Sequence, residues 1–88
     1  MSYILRFMPE AEEHLRFWQK NDKKTLKRIL SLLENMKETP YTGLGKPEPL
    51  RFDWSGMYSR RIDKKNRIVY EVNEGEGRIY IYRLRDHY

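Results

Sequence analysis

The sequence predicts an α+β fold in which an N-terminal helical hairpin packs on one face of a mainly antiparallel, twisted sheet. Two segments with helical periodicity stand next to each other between residues 9 and 39. A short β-favouring run precedes them, and three strand-like runs separated by turn residues follow them. Helices and strands that are segregated along the chain are typical of α+β domains. The predicted element order is therefore β-α-α-β-β-β.

The first strand and the first helix lie close together at the N-terminus. Residues 3–7 form a β-favouring run, which Pro9 ends. Pro9 can occupy the first turn of a helix, because the N–H it lacks would have no partner there. Leu15 and Trp18 then lie three residues apart and predict an apolar, core-facing stripe. His14 is expected on the solvated side of the same helix.

The second helix is predicted to begin after Asn21 and Asp22, which break the first helix and can cap the next one. Its apolar residues recur at a spacing of three and four and predict one core-facing stripe: Leu26, Ile29, Leu30, Leu33 and Met36. It is expected to end before Thr39 and Pro40. Two adjacent amphipathic helices with a short joint predict a helical hairpin.

The C-terminal half holds the main part of the predicted sheet. Residues 40–49 contain three of the four prolines and two glycines, which predicts an ordered but irregular loop. The strand-like runs follow at residues 50–52 continuing through 57–62, at 67–73 and at 78–84.

Alternation along two of these runs predicts their pairing. The core-facing residues are expected to be Tyr58, Ile62, Ile68, Tyr70 and Val72. Opposed residues of an antiparallel pair share a face of the sheet, so the register must keep these residues together. The simplest hairpin that does so pairs Ile62 with Asn66 across a three-residue loop.

This register places Arg61 opposite Arg67 on the face turned away from the core. Like charges directly opposed destabilise a sheet, so this arrangement needs an anion or an acidic neighbour. Glu48 or Glu71 could neutralise the two arginines in a surface ion network. Otherwise the pair would be a site for a bound anion.

Composition narrows the possible functions. The 88 residues are predicted to form one domain, residues 1–88. The absence of cysteine excludes disulfides and thiolate metal sites, and two histidines are too few for a His-rich zinc site. With no apolar run long enough for a membrane span, we expect a soluble, cytoplasmic protein. A net charge of +5 indicates either a polyanion partner, most simply a nucleic acid, or only a well-solvated surface.

Several strings of residues resemble a known family. The strings GLGKPEPL (43–50), WSG (54–56), YSRRI (58–62) and NRIVY (66–70), with the terminal HY (87–88), resemble the YoeB (Txe) toxins. These belong to the RelE/ParE superfamily of bacterial toxin–antitoxin modules. The resemblance covers essentially the whole chain and implies a RelE-like fold. It further implies an mRNA interferase that acts in the ribosomal A site without a metal or cofactor.

The resemblance also implies a role for individual residues. Glu48 matches the catalytic carboxylate, a general base on the ribose 2′-hydroxyl. Arg61 and Arg67 match the arginines that stabilise the scissile phosphate. His87 matches the general acid for the leaving 5′-oxygen, and Tyr88 matches the terminal residue of the substrate site.

Three further cations and one departure complete the comparison with the family. Lys46, Arg51 and Arg85 are expected to contact neighbouring RNA phosphates. Asp86 departs from the pattern, since an aromatic residue is common there, and its carboxylate could raise the pKa of His87 or face water.

The resemblance implies several partners: a YefM- or Axe-like antitoxin, the ribosome with its mRNA, and operator DNA only through the antitoxin. A homodimer is possible, and no membrane is involved.

The chemistry of the residues agrees with this assignment, although simpler interpretations exist. Cleavage of RNA by its own 2′-hydroxyl needs a proton acceptor, a proton donor and cations for the phosphorane charge. Taken alone, however, Glu48 between two prolines is an ordinary turn residue, and His87 lies in a chain end of the kind that is usually frayed. Two other functions therefore stay open: a non-enzymatic inhibitor like the ParE relatives, and an RNA-binding module that uses the same arginines.

Overall fold

The structure is a computed structural model that describes residues 2–86. Its elements are β1 (Ile4–Phe7), α1 (Pro9–Asn21), α2 (Lys23–Glu38), β2 (Glu48–Pro49), a 3₁₀ turn (Phe52–Trp54), β3 (Tyr58–Arg61), β4 (Arg67–Asn73) and β5 (Arg78–Arg83). Within the described part of the chain, five strands form one sheet in the order β1-β5-β4-β3-β2. β1 runs parallel to β5, and the other neighbours are antiparallel. The predicted α+β fold and its order of elements are confirmed.

The joint between the two helices forms as the sequence predicts. Pro9 occupies the first turn of α1, and the backbone N–H of Asp22 closes that helix by donating to the Trp18 carbonyl. The Asp22 carboxylate then caps α2 by accepting from the Thr25 N–H at 3.0 Å. This hydrogen bond stabilises the charged carboxylate and lowers the pKa of Asp22.

The apolar stripe of α2 differs from the prediction at one position. Ile29, Leu33 and Met36 are buried against the sheet, but Leu30 is 48% exposed, and Leu32 is completely buried instead. Leu30 lies about 100° around the helix from Ile29, whereas Leu32 lies only about 60° from it. The buried face therefore extends to the side of Leu32.

The prediction of a strand at residues 50–52 is wrong. The first C-terminal strand, β2, is the two-residue segment Glu48–Pro49, which pairs with β3. The Leu50 N–H still donates to the Met57 carbonyl at 2.8 Å. Phe52 then adopts a φ of 58°, which is outside the extended region and ends the ladder.

The register predicted for β3 and β4 is confirmed. Arg61 lies opposite Arg67, and the Ile62 N–H donates to the Asn66 carbonyl at 3.0 Å. The predicted core-facing residues lie in or against the core: Tyr58, Ile62, Ile68, Tyr70 and Val72. The helices cover this face of the sheet, and the arginine pair lies on the opposite one. No helix within residues 2–86 has the length and apolar character needed to cross a membrane.

Candidate functional site

Three charged side chains predicted to act together lie on the sheet face opposite the helices. Arg61 and Arg67 are paired across β3 and β4, and Glu48 is paired with Ser59, which points to the same face as Arg61. We call Glu48, Arg61 and Arg67 the open-face site. Nη1 of Arg67 lies 3.5 Å from Oε1 of Glu48. The two arginines thus have a carboxylate beside them, one of the two outcomes that the register left open.

The open-face site keeps an excess of positive charge. The Glu48 carboxylate contacts Arg67, and among the described residues no ion pair of Arg61 is found. Glu71, the other candidate neutralising residue, accepts a hydrogen bond from the Tyr82 hydroxyl at 3.0 Å. Arg61 and half of the Glu48 side chain are exposed, so an anion could reach both from solvent.

A buried arginine organises the loop that leads to Glu48. Arg60 follows Ser59 on β3, points into the helix face and is completely buried. Its guanidinium donates hydrogen bonds to five neutral oxygens, those of Tyr70 Oη, Asn35 Oδ1 and the carbonyls of Thr39, Thr42 and Leu44. These bonds join α2, β4 and the loop after α2. The irregular loop is ordered because Arg60 satisfies its carbonyl groups.

Gly45 bonds the same loop directly to β3. Its carbonyl accepts from the Arg61 N–H at 2.7 Å, and its φ is 79°. A Cβ at this position would lie 2.8 Å from Cδ2 of Leu32. Glycine is therefore required both by the left-handed backbone and by the close approach to α2. The segment 46–48, which leads to Glu48, therefore starts next to a residue that is bonded to β3.

The cations predicted to bind RNA are not all placed together. Lys46 and Arg51 are exposed on either side of β2, and Arg51 borders an open cavity of about 580 Å³ lined by residues 48–54. Phe52 in that cavity is 91% exposed. Arg85 lies elsewhere, with its guanidinium carbon 3.6 Å from the centre of the Phe17 ring. No described contact joins Arg85 to the open-face site.

The segment before the C-terminus contacts residues that the sequence did not single out. The expectation for His14 is wrong, because this side chain is half-buried and its Nδ1 accepts from the Leu84 N–H at 3.1 Å. Burial, together with the positive charge of Arg83, lowers the pKa of His14. His87 and Tyr88, predicted as catalytic residues, lie outside the described residues.

The arrangement is suited to acid–base chemistry on a phosphate. A carboxylate can accept a proton, and the fork of an arginine can bind two oxygens of a phosphate at once. Within residues 2–86, no three His, Cys, Asp or Glu side chains are grouped so that they could hold a metal ion. The open-face site thus combines a carboxylate in contact with one arginine and a second arginine on the neighbouring strand.

Sequence reasoning missed Arg60, although a signal for it was present. Because Tyr58 and Ile62 were assigned to the core, strict alternation places the residue between them on the core face too. A charged side chain predicted to lie in a core must find hydrogen-bond partners there. No comparable sequence signal indicated that His14 or Asn66 contacts the segment before the C-terminus.

The sequence is similar to that of known toxins. Residues 7–88 match the family model described as "YoeB-like toxin of bacterial type II toxin-antitoxin system". The chain is 40% identical over 84 residues to Toxin YoeB of Mycobacterium bovis, with 96% of each chain covered.

Solved structures show the same fold. A YoeB/ParE toxin from Agrobacterium tumefaciens is 38% identical and superposes with a TM-score of 0.90, covering 97% of this chain and 99% of the other. YoeB of Staphylococcus aureus is 37% identical over the full length of both chains. It has been solved as a dimer, with a TM-score of 0.88, and in a heterotetrameric YoeB–YefM complex, with a TM-score of 0.87. The chain therefore belongs to the family of YoeB-like toxins of bacterial type II toxin–antitoxin systems.

Proposed function

We propose that this toxin is a ribosome-dependent mRNA interferase, an endoribonuclease that cleaves mRNA in the A site and so inhibits translation. The observation that carries the proposal is the open-face site, where the Glu48 carboxylate lies 3.5 Å from Arg67 and the Arg67 backbone is paired with that of Arg61. Membership of the YoeB family supports it.

The reaction proceeds by attack of the ribose 2′-hydroxyl on the adjacent phosphate and uses no metal ion. Glu48 accepts the 2′-hydroxyl proton while the 2′-oxygen forms a bond to phosphorus. Arg61 and Arg67 stabilise the negative charge of the phosphorane. The bond to the 5′-oxygen then breaks, and His87 donates a proton to this leaving group. Tyr88 completes the substrate site.

The products follow from this balance of bonds and protons. The upstream fragment carries a 2′,3′-cyclic phosphate, and the downstream fragment carries a 5′-hydroxyl. Lys46 and Arg51 would bind phosphates on either side of the scissile one, and their exposure next to β2 supports this role. Arg85, which packs over Phe17, would contact RNA only beyond the open-face site.

In the cell, a YefM- or Axe-like antitoxin would hold the enzyme in check. The YefM complex of the S. aureus relative supports such a partner, and the dimer of that relative supports a homodimer. An acidic segment of the antitoxin would cover the positively charged open face, and the antitoxin alone would contact operator DNA. Because the proposed target is the translating ribosome, the activity would be cytoplasmic.

Two other functions would use the same surface. A ParE-like inhibitor would block its target without cleavage, and an RNA-binding module would retain RNA intact. Neither needs a carboxylate next to the arginine pair, since a carboxylate weakens the attraction of the site for phosphate. The position of Glu48 therefore favours the nuclease.

The test is cleavage of mRNA on programmed ribosomes by purified protein. We expect Glu48→Gln to slow single-turnover cleavage by at least ~10²-fold, because general base catalysis is typically worth that much. Glu71→Gln is the matched control, since it removes a carboxylate from the same face of the sheet, and it should cleave at the rate of the wild type. Intact mRNA with wild-type protein, or equal rates for both variants, would contradict the proposal.

A further inference from the structure

The backbone of residues 84–86, which we call the tail segment, is held by side chains from distant parts of the chain. At Leu84, the N–H donates to Nδ1 of His14 at 3.1 Å, and the carbonyl accepts from Nε1 of Trp18 at 2.8 Å. Both partners belong to α1 and lie one turn apart. Both backbone polar groups of Leu84 are thus bonded to α1.

Asp86 is held in the same way by the other side of the fold. Its N–H donates to Oδ1 of Asn66 at 2.7 Å, and its carbonyl accepts from the Arg67 N–H at 3.2 Å. The tail segment is therefore bonded to α1 at one end and to the start of β4 at the other.

The tail segment has an uncommon backbone conformation at Asp86. Its φ of 63° lies in the left-handed region, which aspartate tolerates better than most non-glycine residues but still adopts only in a minority of cases. Such a conformation persists when the surrounding contacts hold it, and it is found most often at functional sites. Here the bonds to Asn66 and Arg67 hold it. The Asp86 carbonyl, from which the chain continues, is thereby fixed beside the backbone of an open-face arginine.

We propose that His14, Trp18 and Asn66 are positioning residues that set where the chain leaves Asp86, so that its last two residues can act at the open-face site. The proposal rests on the proposed function, in which His87 is the general acid. None of the three side chains touches substrate. They act through the tail segment, and a general acid needs this support because proton donation requires hydrogen-bond reach.

The hydrogen bond from Leu84 depends on the protonation of His14. Nδ1 accepts only when this nitrogen carries no proton. The charged groups around His14 are Glu10 on α1, Arg83 on β5, and Arg85 and Asp86 in the tail segment. Burial and the nearby arginines lower the pKa of His14, so the accepting form is the one present at neutral pH.

A matched pair of variants at one position tests the proposal. His14→Phe keeps a ring but removes the acceptor, whereas His14→Asn places an amide oxygen near the position of Nδ1. We expect His14→Phe to lower the kcat of ribosome-dependent cleavage by about tenfold or more, since small misplacements of a catalytic group can cost up to ~10²-fold. The KM should stay within about twofold. His14→Asn should restore most of the rate, and Trp18→Phe should repeat the loss.

A second pair separates positioning from a general loss of hydrogen bonds. Asn66 immediately precedes β4, and Asn73 is its last residue. Oδ1 of Asn66 accepts from the Asp86 N–H, and Oδ1 of Asn73 accepts from the Glu76 N–H. Asn66→Ala should lower kcat, whereas Asn73→Ala should not. All rates are compared at a temperature at which circular dichroism shows each variant to be folded.

Amide hydrogen exchange distinguishes failure of this inference from failure of the proposed function. In the wild type, the Leu84 and Asp86 amides should be protected, and His14→Phe should expose Leu84. If the wild type cleaves mRNA and the variants cleave equally fast, the positioning role is overturned and the nuclease stands. If the wild type does not cleave, the nuclease fails, while protected amides still support the anchoring of the tail segment. Amides that exchange as in an unfolded peptide overturn the anchoring itself.

Discussion

Arg60 and Arg61 are neighbours on β3, yet the pleat of the strand places them in opposite environments. Arg60 is buried under the helices, and all of its described hydrogen bonds go to neutral oxygens. Arg61 is exposed on the other face and lies opposite Arg67. The same type of side chain therefore supports the loop in one position and leaves a positive charge exposed to solvent in the next.

The two faces also differ in how well their polar groups are satisfied. On the helix face, the charge of Arg60 is compensated by oxygens of α2, β4 and the loop, as a buried cation requires. On the open face, two arginines stand opposite each other with one carboxylate beside them, which is unfavourable for the isolated sheet. The helix face is organised for stability, and the open face keeps charge available for a ligand.

The largest effect is expected from comparing Arg60→Met with Arg61→Met. The first variant leaves buried oxygens without donors and should lower the free energy of unfolding by at least about 3 kcal/mol, enough to threaten folding. The second changes an exposed side chain and should stay within about 0.5 kcal/mol of the wild type. Urea unfolding followed by circular dichroism measures both. Similar losses of unfolding free energy for the two variants would contradict the view that only the helix-face arginine stabilises the fold.

A smaller loss of unfolding free energy is expected at Gly45, where the loop after α2 contacts β3. Gly45→Ala strains a backbone at φ 79° and brings the new Cβ within 2.8 Å of Leu32. We expect a loss of about 2 kcal/mol in the same urea experiment. Gly56→Ala is the control, since its φ is 94° but nothing lies within 4 Å of the new Cβ. A loss at Gly56 as large as at Gly45 would show that the backbone alone accounts for the effect.

The open face should respond to salt through Arg61. If this arginine contacts a phosphate, Arg61→Ala should weaken binding to ribosomes by about tenfold at low salt and reduce the slope of log K against log salt by about one. Fluorescence anisotropy of labelled protein on ribosomes at several salt concentrations gives both values. An unchanged slope would mean that Arg61 makes no phosphate contact.

The smallest effect is expected at Phe52, which borders the open face but supports neither arginine. Its φ is 58°, and its ring is 91% exposed, so the fold pays for an unfavourable backbone without burying the side chain. Asparagine tolerates this region better, and Phe52→Asn should stabilise the protein by about 0.5 kcal/mol. Thermal unfolding measures the gain. A clear loss would show that the ring packs against something in solution.

Local patterns along the sequence predicted most of the fold and one part of the site. Helical spacing and the capping Asp22 predicted the hairpin, and alternation around Ile62 predicted that Arg61 faces Arg67. The same alternation also indicates that Arg60 is buried. Its five hydrogen bonds could not be predicted, because most of them join it to a loop that has no periodic sequence pattern. At Phe52, the last residue of a predicted strand, a 3₁₀ turn begins instead, and no sequence pattern indicated the φ of 58° there.

The contacts of the tail segment could not be predicted at all. The contact between His14 and Leu84 joins residues separated by 70 positions. Neither residue type indicates such a partner, because a histidine on an amphipathic helix is equally compatible with solvent. Only the packing of α1 beside β5 brings the two together.

The most direct test of the central claim, that the open face is a surface for RNA cleavage by the 2′-hydroxyl, is the chemistry of the product ends. Wild-type protein is incubated with ribosomes carrying end-labelled mRNA, and the fragments are tested with polynucleotide kinase and phosphatase. We predict a 5′-hydroxyl on the downstream fragment and a 2′,3′-cyclic phosphate, or the 3′-phosphate formed by its hydrolysis, on the upstream one. A 5′-phosphate on the downstream fragment would contradict the mechanism.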